Sequence, residues 1–295
     1  VILDCRHIAY QNFFRKRRLN NGCWVIRIYY WFLRTLITTQ LLFFLLPTLT
    51  LASDQMYEQE LIRSVEKSVL DGEAHWLKDN DREFLALFSA TERKETQGAI
   101  LVVHGVGGHL NKRGSVEPMR RGFPEWGWVS LSLQMPVRRP GAGIERYLSL
   151  IEESGGRIKA GIDWIVKKDI ENIVLVGYGL GALMVIDYLA SNEDSPVRAA
   201  VLVGLTAFDN LESVDSVFKK MVEIKLPLLD IYARRDTLSQ SIGSQKRRQL
   251  MKKNVGFRQL QMQARDKEFI HSEGALNKRV YSWMMRESPG MEIKK

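Results

Sequence analysis

Cysteine is nearly absent from this sequence: Cys5 and Cys23 are the two in 295 residues. Both fall within the first 52 positions. The rest of the chain therefore has no disulfide, no thiol nucleophile and no cysteine-held metal site. A large excess of one charge is missing too. The formal net charge of +9 points at first to nucleic acid, but residues 1–52 hold seven Lys/Arg against one Asp, and from Ser53 onward 36 basic residues face 33 acidic ones. The body of the chain is only mildly basic, which argues against a nucleic-acid partner. No internal repeat or low-complexity segment occurs, and a hydrophobic content of 45% supplies material for a large core.

The first 52 residues read as a targeting segment. RKRR at 15–18, with Arg27 and Arg34, forms a positive flank, and an apolar run follows at 36–52 (LITTQLLFFLLPTLTLA), broken at Pro47. Thr50 and Ala52 are small residues at positions −3 and −1 of a cleavage site before Ser53. The expectation is export with cleavage. The alternative is an uncleaved membrane anchor over about residues 23–46, against which Arg27, Arg34 and Gln40 weigh. Membrane contact is expected through this segment alone. The basic part is long for a leader and no Met precedes Met56, so a start at a non-Met codon such as Leu33 would give an ordinary length.

Beyond the leader, residues 53–72 form an N-terminal helix and linker, with Tyr57, Leu61, Ile62, Val65 and Val69 near a 3.6-residue period. A single domain is expected over 73–288 and a loose tail over 289–295. The domain opens on a hairpin, residues 75–90, with its turn at 79–81. GAILVVHG at 98–105 is a continuous apolar run bounded by glycines, as in a strand buried on both faces. Strands at 127–133, 172–177, 198–204, 227–233 and 257–263 then alternate with helices at 144–168, 180–192, 240–253 and 273–286. Repeated βα order predicts an α/β fold: a doubly wound, mostly parallel sheet with the antiparallel hairpin at one edge. About twenty residues separate Gly204 from Pro227, so a large lid is not expected. Any pocket is open unless the 134–146 loop covers it.

Four features follow one another: HGVGGH at 104–109 after a buried strand, GYGLG at 177–181 in a strand-to-helix turn, Asp236 past the strand PLLDIYA, and His271 past the last strand. In this order they resemble the α/β-hydrolase superfamily over residues 73–286. The HGVGGH, WGWVSLSLQMP and GYGLGA blocks are similar to those of a group of exported bacterial α/β-hydrolase-like proteins named only as a family of unknown function. Position in the bacterial periplasm is what that similarity implies. It also implies an oxyanion hole from the N–H groups of Val106 and Leu180, with His104, Gly105, Gly107, Gly108, Gly177 and Gly181 shaping the loops. His271 would be the general base and Asp236 the residue that orients it. The departure is Gly179, at the apex where this pattern carries a serine. Glycine fits a strained turn and offers no hydroxyl, so no acyl-enzyme can form there.

Three functions stay open. The first is a hydrolase-fold protein without nucleophilic catalysis, which binds a small or acyl-bearing ligand or acts as an envelope scaffold. The second is an ester or acyl hydrolase in which His271 and Asp236 activate a water molecule. The third is dinucleotide binding, since Gly177, Gly179 and Ala182 satisfy G-x-G-x-x-G/A. Against it, the next strand closes on Gly204 and Leu205 without the acidic residue a ribose needs. No cofactor or metal is expected, and the oligomeric state is left open. Several residues also have plainer readings: His104 as a structural loop histidine, His109 as a solvated one, Asp236 as a partner of Arg234 and Arg235, and His271 as a helix cap. Asp209 is a spare acid. Asp230 is expected to serve packing or a buried hydrogen bond, Tyr178 to pack beside the turn, and Trp126, Trp128, Trp164 and Trp283 to join the core.

Overall fold

A computed structural model describes residues 31–32, 53–68, 71–80, 82–205, 212–235, 238–266 and 268–290. The chain divides into two compact units, Val1–Thr50 and Leu51–Lys295. In the first unit the described residues are Trp31 and Phe32, helical and exposed. The leader reading of 1–52, Asp236, Asp209 and most of the 289–295 tail lie outside the described residues. Among the described residues no helix is long and apolar enough to cross a membrane.

The second unit opens with helix α1 (Gln55–Ser68) and the hairpin β1 (Glu73–Asp79) and β2 (Arg82–Ser89). Then come β3 (Gly98–Val103), α2 (Val116–Glu125), β4 (Trp128–Leu133), α3 (Ile144–Leu148) and α4 (Leu150–Val166). The remainder is β5 (Ile173–Tyr178), α5 (Leu180–Ser191), β6 (Val197–Val203), α6 (Glu212–Lys220), β7 (Leu228–Ala233), α7 (Leu238–Leu250), β8 (Phe257–Met262) and α8 (Glu273–Glu287). The eight strands form one sheet in the order β1-β2-β4-β3-β5-β6-β7-β8. β1 with β2 and β2 with β4 are antiparallel, and every other pair is parallel. This is the doubly wound layout expected from the sequence.

Burial explains the strand composition. Every residue of β3, β4, β5 and β7 is buried, so each reads as an unbroken run. The edge strand β8 is mostly half-exposed and correspondingly polar. One core layer joins Leu101, Leu131 and Leu175 to Ile158, Ile162, Leu183 and Ile186 of α4 and α5. The other joins Ile100, Val102 and Val176 to Met119 and Phe123 of α2 and to Leu276, Val280 and Trp283 of α8. A third, smaller cluster seats Ile62 and Val65 of α1 on Leu85, Leu87 and Leu110.

Two helices escape the sequence reading, α2 and α6. α2 contains Pro118, Gly122 and Pro124, which lower its intrinsic propensity. Pro118 is tolerated because it lies in the first turn, where the missing N–H has no helical partner. Val116, Met119, Arg120 and Phe123 are buried, so tertiary packing holds the helix. The single helix expected at 144–168 is two, broken at Ser149, whose hydroxyl donates to Arg146 O at 2.8 Å. The loop of residues 134–143 is fastened to α1 rather than free: the Asp54 N–H donates to Val137 O at 2.7 Å, and Arg139 pairs with Asp54 and Glu60.

Among the described residues three arginines are buried. Arg120 spans Asn111, Asp71 and Ser89. Arg157 holds Glu58. Arg247 meets Asp230 through Nε at 2.8 Å and Nη2 at 3.1 Å, with both side chains fully buried, and Gln259 donates to the same carboxylate at 2.8 Å. Asp230 is thus a structural ion, as its place inside a strand implied. Arg247→Met would strand its charge, and we expect a loss of about 3–5 kcal/mol in chemical denaturation. Replacing Asp230 by Leu in the same chain should recover much of that loss.

Candidate functional site at the C-terminal edge of the sheet

The turn between β5 and α5 is a single residue. Gly179 has φ 55° and ψ −112°, a combination that side-chain-bearing residues avoid. Its N–H donates to Val203 O at 2.9 Å and its carbonyl accepts from Ala182 at 3.2 Å. The flanking glycines are there for close approach. A Cβ at Gly177 would lie 2.5 Å from Gly181 O and 2.6 Å from the Ala182 Cα; one at Gly181 would lie 2.5 Å from Val103 O and 2.6 Å from His104 O. The helix therefore leaves the sheet with its backbone pressed against both β5 and the end of β3.

The glycine-rich loop after β3 lies directly on this turn. A Cβ at Gly105 would stand 2.6 Å from Tyr178 O and 3.4 Å from the Leu180 nitrogen. Gly108 N–H donates to Gly105 O at 3.1 Å, closing a tight turn with Val106, 39% exposed, and Gly107 at its tip. Leu180 is buried. Gly105 thus packs against the backbone at the start of α5.

His104 fixes this loop from beneath. It is 2% exposed, and its Nε2 accepts the Met135 N–H at 2.9 Å. Nδ1 then carries the proton and donates to Gly105 O at 3.0 Å. The Gln134 amide, which lies 3.2 Å from the same Nε2, donates to Met135 O at 2.9 Å, and its Oε1 faces the Leu110 N–H. Burial pushes the imidazole down to about 3, against a smaller opposing effect of the Gly105 carbonyl. His104 is a neutral structural histidine. Gln134 was invisible to motif reasoning, although a glutamine closing the apolar run WVSLSL is a signal of buried hydrogen bonding. His109 corrects the expectation of a solvated residue. It is half-buried, accepts the Asn111 N–H at 3.2 Å, and is shifted downward by burial.

His271 lies on a different part of the edge. With Arg235, Gln263, Ala264, Arg265, Ile270 and Ser272 it lines an open cleft of about 380 Å³, whose lining does not include Val106, Gly179 or Leu180. Its φ is 66°, and its backbone N–H donates to Glu273 Oε1 at 3.0 Å as α8 begins. The loop bearing it is tied to the glycine-rich loop. Lys112 pairs with Glu268 at 2.7 Å, and a Cβ at Gly114 would stand 3.2 Å from Ile270 Cγ1. Those contacts fall at residues 112–114, just after the glycine-rich turn, while Asp236, one residue beyond Arg235, is outside the described part. Tyr178 is buried with its hydroxyl on Met119 Sδ at 3.9 Å, and burial pushes that hydroxyl up, out of reach of ionisation. Trp128 and Trp283 lie in the core; Trp126 and Trp164 pack against its margin. Among the described residues no three His, Cys, Asp or Glu side chains gather as a metal site would require.

The His104 environment makes stability pH-dependent. Its folded-state pKa is depressed, so the folded protein keeps the ring neutral where the unfolded chain, near 6.5, takes up a proton. Its contribution is complete above about pH 6.5 and is lost as pH falls towards 3, at about 1.4 kcal/mol per unit. Denaturation midpoints measured from pH 7.5 to 4.5 should fall more steeply for the wild type than for His104→Gln. Equal slopes would refute the assignment.

Comparison with known proteins agrees with this architecture. Est1E from Butyrivibrio proteoclasticus superposes with TM-score 0.56 at 15% identity, covering 74% of this chain and 99% of its own. The esterase Pf2001 from Pyrococcus furiosus gives 0.61 at 15% identity, covering 76% and 94%. XC6422 from Xanthomonas campestris, an α/β serine hydrolase without a lid, gives 0.57 at 14%, covering 76% and 98%. At these identities the likeness is one of fold. No curated protein matches the sequence. One family does, over residues 52–150 and 144–286, and that match spans most of the chain. That match makes the chain a member of the family described as "Protein of unknown function (DUF3530)", and its eight-stranded sheet with an antiparallel edge has the α/β-hydrolase fold.

Proposed function

We propose that this is an exported, periplasmic protein of the α/β-hydrolase fold that binds a small or acyl-bearing ligand at the C-terminal edge of its sheet and forms no covalent intermediate with it. The observation that carries this reading is the conformation of Gly179: an apex between β5 and α5 at φ 55° and ψ −112°, in the place where enzymes of this fold hold the serine nucleophile. Backbone alone is offered there. The N–H groups of Val106 and Leu180 remain as an oxyanion-type cradle for a carbonyl or carboxylate, helped by the positive end of the α5 dipole. Export rests on the leader pattern of residues 1–52.

A second reading draws support from the cleft at His271, an open hollow of mixed polar and apolar lining, large enough for water and a small ester. There His271, assisted by Asp236, would act as general base on water.

One set of assays separates the two. Purified protein is incubated with p-nitrophenyl esters of increasing chain length and, separately, with a fluorophosphonate probe read by intact mass. We expect no adduct and turnover at the background rate. Turnover that disappears in His271→Ala would replace the binding reading with the water mechanism. An adduct on any serine would move the elbow elsewhere and end both readings. Gly179→Ser should fold with a stability loss of about 1–3 kcal/mol, because a side chain at positive φ is strained. If the cradle is intact, that variant should gain reaction with the probe.

A further inference from the structure

Ser53 is held in a way that a loop residue does not require. Its backbone nitrogen donates to Glu153 Oε2 at 3.0 Å and its hydroxyl to Oε1 at 2.6 Å. Ser53 is 8% exposed and the Glu153 side chain 10%. The cation facing Glu153 is Arg82, with Nη1 at 2.6 Å from Oε1 on a side chain 41% exposed. The next residue is fixed as firmly: Asp54 gives its N–H to Val137 O, and its carboxylate accepts the Tyr57 N–H at 3.0 Å, capping α1. A nearly buried carboxylate thus takes both polar hydrogens of the one residue that follows the cleavage pattern Thr50-x-Ala52.

We propose that cleavage between residues 52 and 53 turns the Ser53 nitrogen into an α-ammonium, and that Glu153 is the built-in site that receives it, fastening α1 to the body once the leader is gone. This rests on the reading of residues 1–52 as a cleaved leader. In the step a leader peptidase adds one water across the peptide bond. The Ala52 carbonyl carbon takes the oxygen and departs as the leader's carboxylate, and the Ser53 nitrogen takes up protons to become –NH3+. That nitrogen already lies within hydrogen-bonding distance of Oε2, so the ion pair forms without moving the chain. A neutral donor with one hydrogen becomes a charged donor with three, at a place shielded from water, where charge-assisted bonds are strong.

The consequence travels inward. Glu58, one turn along α1, is paired with Arg157, and Arg157 donates to Gln134 O at 2.8 Å. Gln134 and Met135 hold His104, and His104 holds Gly105. The new terminus thus lies at the start of the helix from which, at Glu58, a hydrogen-bonded chain runs to the glycine-rich loop.

The test uses protein processed in a bacterial envelope and purified from it. N-terminal sequencing should give Ser53 as the first residue. The apparent pKa of its amine is then read from the pH dependence of its acylation by acetic anhydride, followed by mass spectrometry of the N-terminal peptide. We expect a value raised by about one unit or more over the ordinary 7.7–8.0. Glu153→Gln keeps an oxygen for Arg82 and for the Ser53 hydroxyl while removing the charge, and should return the amine to the ordinary range. A wild-type amine with an ordinary pKa overturns the proposal while leaving the cleavage reading intact. If the variant does not accumulate, the wild-type titration decides alone. A protein that keeps residues 1–52, or starts elsewhere than Ser53, overturns the cleavage reading and the docking proposal with it.

Discussion

The edge of the sheet is built on a steric constraint: three backbone segments lie closer together than side chains permit. β5 ends against α5 at Gly177, α5 presses on the end of β3 at Gly181, and the loop after β3 returns over the turn at Gly105. Gly179, between them, takes a backbone conformation that a side chain would strain. At position 179 the turn itself presents peptide groups and no side chain.

Beneath the turn, polar groups do work that hydrophobic packing cannot. His104 has to stay neutral to accept the Met135 N–H, and burial keeps it so. Gln134 serves the same loop from the end of β4. Arg157 ties Gln134 to Glu58 on α1, whose carboxyl is raised by burial against the opposing pull of Arg157. Among the described residues Arg120, Arg157 and Arg247 each have a carboxylate partner, which is the condition under which such buried groups are tolerated. The N-terminal helix is therefore part of the support for the site, although it lies outside the βα alternation that defines the fold.

Much of this was legible in the chain. Strands buried on both faces announce themselves as apolar runs, and β3, β5, β6 and β7 were each found to within a residue or two at either end. The hairpin was marked by its turn, where Asn80 takes φ 52°. α2 was hidden because Pro118, Gly122 and Pro124 speak against a helix, and only contact of Met119 and Phe123 with the sheet overrides them. The glycine spacing of residues 177–181 indicated a tight strand-to-helix turn, and the structure has it between β5 and α5. Gln134, Glu58 and Arg157 were not legible, because their meaning lies in partners 23 to 99 residues away in the chain.

The sequence by itself determined the α/β alternation, the absence of a hydroxyl at position 179 and the charge asymmetry between residues 1–52 and the rest of the chain, since these depend on residue type and local spacing. Only the tertiary structure decided that His104 is a buried strut, that Asp230 answers Arg247, that the cleft of His271 opens beside Arg235, and that Ser53 meets Glu153. Those pairings join segments far apart in the chain, and no local pattern encodes a contact whose energy exists only once the sheet has brought both partners out of water.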